Sequence, residues 1–155
     1  MSDPRIQSFA DFWPYYIGEH RNPTCRRLHF AGTTAFLGVV LACVSQRPLV
    51  FGGAMLAALV IGALTFRMEA RRSSAPALLL IIAIAGVAHP LALVGVVCAY
   101  AFAWVAHFKV EHNRPATFTY PMWSLVGDFR MFGEMLRGRL WTGDGSEIAG
   151  PPAGA

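Results

Sequence analysis

Residues 28–66 read LHFAGTTAFLGVVLACVSQRPLVFGGAMLAALVIGALTF, two apolar runs parted only by Gln46, Arg47 and Pro48. Each run, 28–45 and 49–66, approaches the ~20 residues that carry a helix across ~30 Å of hydrocarbon. Two further runs follow at 75–88 and 91–107, with basic residues and Pro76 before the third and His89-Pro90 between the third and fourth. None of the four alternates with period two, which excludes a membrane β-barrel. The expected fold is therefore all-α: an integral membrane four-helix bundle made of two helical hairpins. The third run is short, which implies a tilt or a re-entrant tip near His89.

Composition agrees with a bilayer as solvent. The chain has 155 residues, of which 55% are hydrophobic and 14% charged, against roughly 45–50% apolar in a soluble domain. The net charge of +4 sits in short clusters between apolar runs, which suits anionic lipid headgroups and not nucleic acid. Residues 1–11 lack a basic region leading into a short apolar stretch, so no signal peptide is expected. Of the 13 Lys and Arg residues, Arg5, Arg21, Arg26 and Arg27 precede the first run, Arg67, Arg71 and Arg72 lie between the second and third, and Lys109, Arg114, Arg130, Arg137 and Arg139 follow the fourth. Only Arg47 is left for the opposite face. The positive-inside rule then puts both termini in the cytoplasm.

Small residues such as Gly52, Gly53, Ala57, Ala58, Gly62, Ala63, Ala85, Gly86 and Gly95 would let the spans approach closely. Cys25, Cys43 and Cys98 form no disulfide framework or zinc spacing and read as packing residues. In the flanks, Leu125, Phe129, Phe132, Leu136 and Leu140 recur at helical spacing, so 124–140 is expected as an interfacial amphipathic helix. The aromatic run 6–17, with Phe9, Phe12, Trp13, Tyr15 and Tyr16, is expected to lie at the headgroups in the same way. A single transmembrane domain over 1–142 and a disordered tail over 143–155 complete the organisation.

Four of the five histidines, His20, His29, His107 and His112, map to the cytoplasmic face, and only His89 to the other. His107 and Glu111 are spaced i,i+4, so a continuing helix presents them on one face. Histidine mixed with carboxylate suits non-haem Fe(II) and oxygen chemistry, and zinc accepts the same ligands. The alternative is that these imidazoles are interface residues bonded to headgroups or backbone. Histidine-rich membrane desaturases hold two irons with about eight histidines, so five imply a single ion.

Residues 16–29, YIGEHRNPTCRRLH, residues 107–124, HFKVEHNRPATFTYPMWS, and residues 127–132, GDFRMF, resemble a family of small membrane proteins. It was long catalogued as a domain of unknown function, and it includes the fungal 2-hydroxy fatty acid dioxygenase of alpha-oxidation. The resemblance covers nearly the whole chain up to Leu140. It implies an Fe(II) enzyme that uses O₂ to shorten a 2-hydroxy fatty acid by one carbon. It also implicates His20, His29, His107 and Glu111, accompanied by Asn22, Pro115 and Ala116. The HNRPATFTYP wording is similar to a shorter bacterial branch, which implies a bacterial inner membrane.

The expected site is thus one iron held by His20, His29, His107 and either Glu111 or His112, with zinc as the alternative metal. Glu111 and Arg114 are the catalytic candidates, and Arg114, Asn22 and Tyr16 the substrate-binding ones. Arg114 would pair bidentately with a fatty-acid carboxylate, or else snorkel to lipid phosphate. Tyr16 and Tyr120 also read as headgroup anchors. Asp128 would cap the interfacial helix or hold a ligating histidine from behind. The expected partners are a lipid substrate, O₂ and the membrane. The rival functions are a non-catalytic lipid-binding or adaptor protein and a zinc-dependent lipid hydrolase.

Overall fold

A computed structural model describes residues 5–150. Helix is the regular secondary structure of the described residues, which contain no strand. α1, Phe9–Gly18, starts where Ser8 Oγ accepts from the Asp11 N–H at 3.1 Å. α2, Pro23–Gln46, starts at Asn22, whose Oδ1 accepts from the Thr24 N–H at 2.8 Å, with Pro23 at the first helical position. Both are ordinary N-terminal devices that satisfy otherwise orphaned N–H groups. Arg47 closes α2 and Pro48 opens α3, Pro48–Phe66. α4, Ala75–Ala88, ends at an extended His89, and α5, Leu91–Val105, begins after Pro90. α5 runs on as a π-helical stretch, Ala106–Glu111, that stops at a left-handed His112 with φ 56°. A 3₁₀ turn, Ala116–Phe118, precedes α6, Pro121–Leu136, and a single turn, α7, covers Ser146–Ala149.

Three helices, Pro23–Gln46, Pro48–Phe66 and Leu91–Glu111, are long and apolar enough to cross a membrane. α4 has 14 residues and at 1.5 Å per residue rises about 21 Å. Leu41, Leu49, Leu56, Leu59, Leu64, Leu79, Val87 and Val97 are all more than half exposed along these helices. That inside-out distribution is what a lipid-facing surface has.

Close approach of α2 and α5 sets the geometry of the site. A Cβ on Gly32 would lie 2.9 Å from Phe102 Cβ and 3.3 Å from the Ala99 carbonyl oxygen, and one on Gly95 would lie 3.1 Å from Val39 Cβ. At Gly32 the α2 backbone comes directly against that of α5, and at Gly95 the α5 backbone comes against the Val39 side chain. Of the small residues singled out in the sequence, Gly95 and Gly86 make such contacts, whereas Gly52 and Gly53 face open space.

The larger core lies beyond the spans, in a roof built by α1, α6 and the segments around them. Phe12, Trp13, Tyr16, Ile17, Tyr120, Trp123, Met131, Met135 and Leu140 form it. Three rings of α1, those of Phe12, Trp13 and Tyr16, do not face headgroups, because they are at most 2% exposed and form the roof's interior, while Tyr15 is 38% exposed. α6 turns a different face inward from the one its leucines and phenylalanines marked: Trp123, Gly127, Met131 and Met135 are buried, while Phe129 and Leu136 are 40% and 65% exposed. The helix is apolar on two sides, one for the roof and one for the outside. Of the segment expected as a tail from Gly143, the part to Gly150 runs against α1, where Trp13 Nε1 donates to the Ile148 carbonyl at 3.1 Å. Residues 151–155 lie outside the described residues.

Buried Glu69, between α3 and α4, ties the spans to the roof. It accepts from Arg5 at 3.0 Å, from the Ser74 hydroxyl and from the Met122 N–H at 2.8 Å. Met122 lies in the first turn of α6, where N–H groups are free and the helix dipole favours a carboxylate.

Candidate metal centre

Three histidines from three places in the chain meet beneath the roof. His20 follows α1 in the short connection to α2, its N–H donating to the Ile17 carbonyl at 3.0 Å. His29 lies in the second turn of α2, and His107 in the π-helical stretch after α5. Ring centroids are 4.6 Å apart for His20 and His29, 4.7 Å for His20 and His107, and 5.2 Å for His29 and His107. One ligand atom from each lies within 4.8 Å of the other two. The residues are 1%, 6% and 3% exposed.

Each imidazole is fixed from behind through Nδ1. His20 Nδ1 donates to the Tyr16 carbonyl at 2.6 Å, His29 Nδ1 to Asp128 Oδ1 at 2.7 Å and His107 Nδ1 to Asn113 Oδ1 at 2.7 Å. A carbonyl and a carboxylate only accept. The Asn113 amide is oriented too, because its Nδ2 donates to the Glu19 carbonyl and to Glu19 Oε2, both at 2.9 Å. The proton of each ring therefore sits on Nδ1 and the lone pair on Nε2. Nε2 of His20 and of His29 are buried without a hydrogen-bond partner. Orphaned buried acceptors are costly in a folded protein, and a metal ion is the group that three neutral imidazoles with occupied Nδ1 atoms fit.

Electrostatics favour the neutral form of His20. Burial, then the neighbouring rings of His29 and His107, hold His20 well below the usual histidine range, so it stays neutral. For Asp128, burial would raise the carboxyl. The His29 imidazole and the hydrogen bonds from His29 and Tyr16 outweigh that and hold it below its usual value. The Tyr16 hydroxyl donates to Asp128 Oδ1 at 2.6 Å, and burial together with that carboxylate pushes its own ionisation well up. A Cβ on Gly127 would come within 3.1 Å of the Tyr16 ring, so the glycine makes room for the phenol to reach Asp128.

Other residues marked in the sequence lie elsewhere. Glu111 and His112 are not part of the cluster. The π register replaces the α-helical one that the i,i+4 reading assumed, and the Glu111 carboxylate accepts from the Asn22 N–H at 2.6 Å. His112 is exposed and turns the chain in a left-handed conformation. Asn22 caps α2, and Tyr16 is a buried partner of Asp128 instead of an exposed anchor. Arg114 is exposed, with its guanidinium 5.0 Å from the Phe118 ring centroid. His89 lies at the opposite end of the bundle, its ring 6.5 Å from that of Phe51. Of Asp128's two roles considered from sequence, the structure has it holding a histidine. Asn113 and Glu19 were missed, although Asn113 stands inside the 107–124 motif and its position beside two candidate ligands was a usable signal.

Comparison with known proteins adds one match. The family model described as 2-hydroxy-palmitic acid dioxygenase Mpo1-like matches residues 6–140, a region that contains all three histidines and their hydrogen-bond partners. No curated protein and no solved structure matches the chain.

Proposed function

The chain belongs to the Mpo1-like family, and from that premise we propose that it is an Fe(II)-dependent membrane dioxygenase that shortens 2-hydroxy fatty acids by one carbon. The observation that carries the reading is the pair of buried, unpartnered Nε2 atoms in a cluster of three imidazoles. His20, His29 and His107 would hold the iron, which supplies the redox chemistry with O₂ when bound. Three protein ligands leave coordination positions for small molecules.

The chain's own residues then have separable tasks. Asp128, Asn113 and the Tyr16 carbonyl fix the three rings and their tautomers. The roof over the cluster excludes bulk water. Arg114, exposed beside Phe118, would pair with the substrate carboxylate at the interface while the acyl chain lies along the apolar helices. We place the four helices α2 to α5 across the bilayer with both termini in the cytoplasm, on the basic-residue distribution given above. The His89 end would face the other side.

The test is anaerobic reconstitution with Fe(II), then 2-hydroxypalmitate and O₂, with chromatography for the fatty acid one carbon shorter. Iron binding near one ion per chain and oxygen-dependent product support the reading. A chain that stays substoichiometric in iron and makes no product is instead the lipid-binding or adaptor protein. The all-imidazole donor set also suits catalytic zinc, and turnover of a lipid ester without O₂ would establish the hydrolase in place of the dioxygenase.

A further inference from the structure

We propose that Arg26 and residues 140–143, the segment it clamps, are positioning elements of the three-histidine centre. On this view a stretch of chain that lies almost wholly past the family-matched region governs how tightly the centre holds its metal. The inference rests on the metal-binding reading above.

Arg26 is 0% exposed, and no carboxylate among the described residues pairs with it. A guanidinium has five N–H donors, and main-chain carbonyls take all of them. Nε donates to Leu140 at 2.7 Å, one terminal nitrogen to His20 at 2.8 Å and Arg21 at 2.6 Å, and the other to Thr142 at 2.9 Å and Gly143 at 2.8 Å. Arg27 adds the Trp141 carbonyl at 3.0 Å, so four successive carbonyls turn toward the start of α2. The backbone reaches this arrangement through left-handed residues, Gly138 at φ 81°, Leu140 at φ 63° and Gly143 at φ 65°. A leucine in that region persists only where its surroundings hold it.

The clamp bears on the metal centre through His20. That residue lies in the connection between α1 and α2, outside any helix, so its ring is only as well placed as its main chain. Its Nδ1 bond to Tyr16 is local to α1 and does not tie the connection to α2, which carries His29. Arg26 does, through the His20 and Arg21 carbonyls. Removing residues 140–155 takes away the Leu140, Thr142 and Gly143 acceptors and leaves three N–H donors unpaired in the interior. A buried guanidinium in that condition seeks water and loosens its hold on the His20 carbonyl.

The test uses the purified full chain in detergent and a version ending at Arg139. Both are titrated with Co(II), whose visible absorption reports coordination, and both are followed by amide hydrogen exchange. Truncation is expected to weaken Co(II) binding roughly ten-fold, the low end for groups that orient metal ligands from behind, and to alter the absorption bands. Exchange should quicken at His20 and Arg21 while amides in α3 and α5 stay protected. Arg26→Gln should reproduce the loss, and combining it with truncation should add little, since both act on one clamp. Arg26→Lys, with the charge but three donors, should fall between and serves where the glutamine variant does not fold. Unchanged Co(II) affinity and spectrum on truncation overturn the proposal, as does loss of protection throughout the chain. If the full chain binds no Co(II), the metal reading fails and this inference with it, a result distinct from truncation having no effect.

Discussion

His20, His29 and His107 each commit Nδ1 to a hydrogen bond, which on the proposed reading leaves Nε2 for a metal. Replacing any of the three with alanine should abolish stoichiometric iron, measured by elemental analysis after anaerobic loading. Glu111→Gln, His112→Ala and His89→Ala should leave it intact. Asp128→Asn keeps the shape but removes the anion behind His29, and metal affinity should drop about 10- to 100-fold. Tyr16→Phe, which removes one hydrogen bond to that anion, should cost less. Full affinity in Asp128→Asn would remove the carboxylate from the account. The convergence of His20, His29 and His107 was legible because neutral imidazole is a frequent metal ligand and these three lie in otherwise apolar or basic surroundings. Glu111 stands apart from the three histidines; its spacing from His107 was read on an α-helical wheel, and nothing in AHFKVE announces a π turn. His112→Gly tests that turn directly: a left-handed residue with a Cβ costs about 1 kcal/mol relative to glycine, so the variant should be slightly more stable in denaturant unfolding while iron content stays the same.

Among the helices, the contact that matters most to the site is α2 on α5, since it brings His29 and His107 within a ring's width. Gly32→Ala would drive a Cβ to 2.9 Å from Phe102. Forcing a methyl into a packed contact costs about 1–3 kcal/mol, and here it should lower both the unfolding midpoint and metal affinity. Gly52→Ala and Gly53→Ala meet nothing within the chain and should do neither, which thermal unfolding of all three variants side by side can check. The sequence revealed that helices exist, because apolar runs and Pro48 are local signals, but α2 begins at Pro23, ahead of the run expected from 28, and α6 covers Pro121–Leu136 where 124–140 was expected. It did not reveal which face of α1 or α6 is buried. Both carry apolar residues on two sides, and the choice between Met131 and Phe129 depends on the partner surface, which is a tertiary fact. Arg26 was counted as a headgroup cation for the same reason: its burial depends on carbonyls more than a hundred positions away.

For the molecule as a whole, the three histidines lie where α2 and α5 meet the roof, so metal bound to them should report on both. Metal present at 100 times its dissociation constant stabilises the folded state by about 2.7 kcal/mol. A chelator should therefore lower the unfolding temperature of the loaded wild type and leave His107→Ala unchanged, as calorimetry would show. On the four-span reading, reporters fused at either terminus should be cytoplasmic, and one inserted between Arg47 and Pro48 should be on the far side; a cytoplasmic signal there would redraw the topology. On the same four-span reading, the brevity of α4 would have a further effect on the surrounding lipid. With about 21 Å of rise against ~30 Å of hydrocarbon, its side of the protein is shallower than the side made by α2 and α5. Acyl chains next to it must shorten or tilt to cover the His89 end, a mismatch that costs fractions of a kcal/mol per Å. The protein would then sit in the bilayer as a wedge, favouring thin, loosely ordered patches.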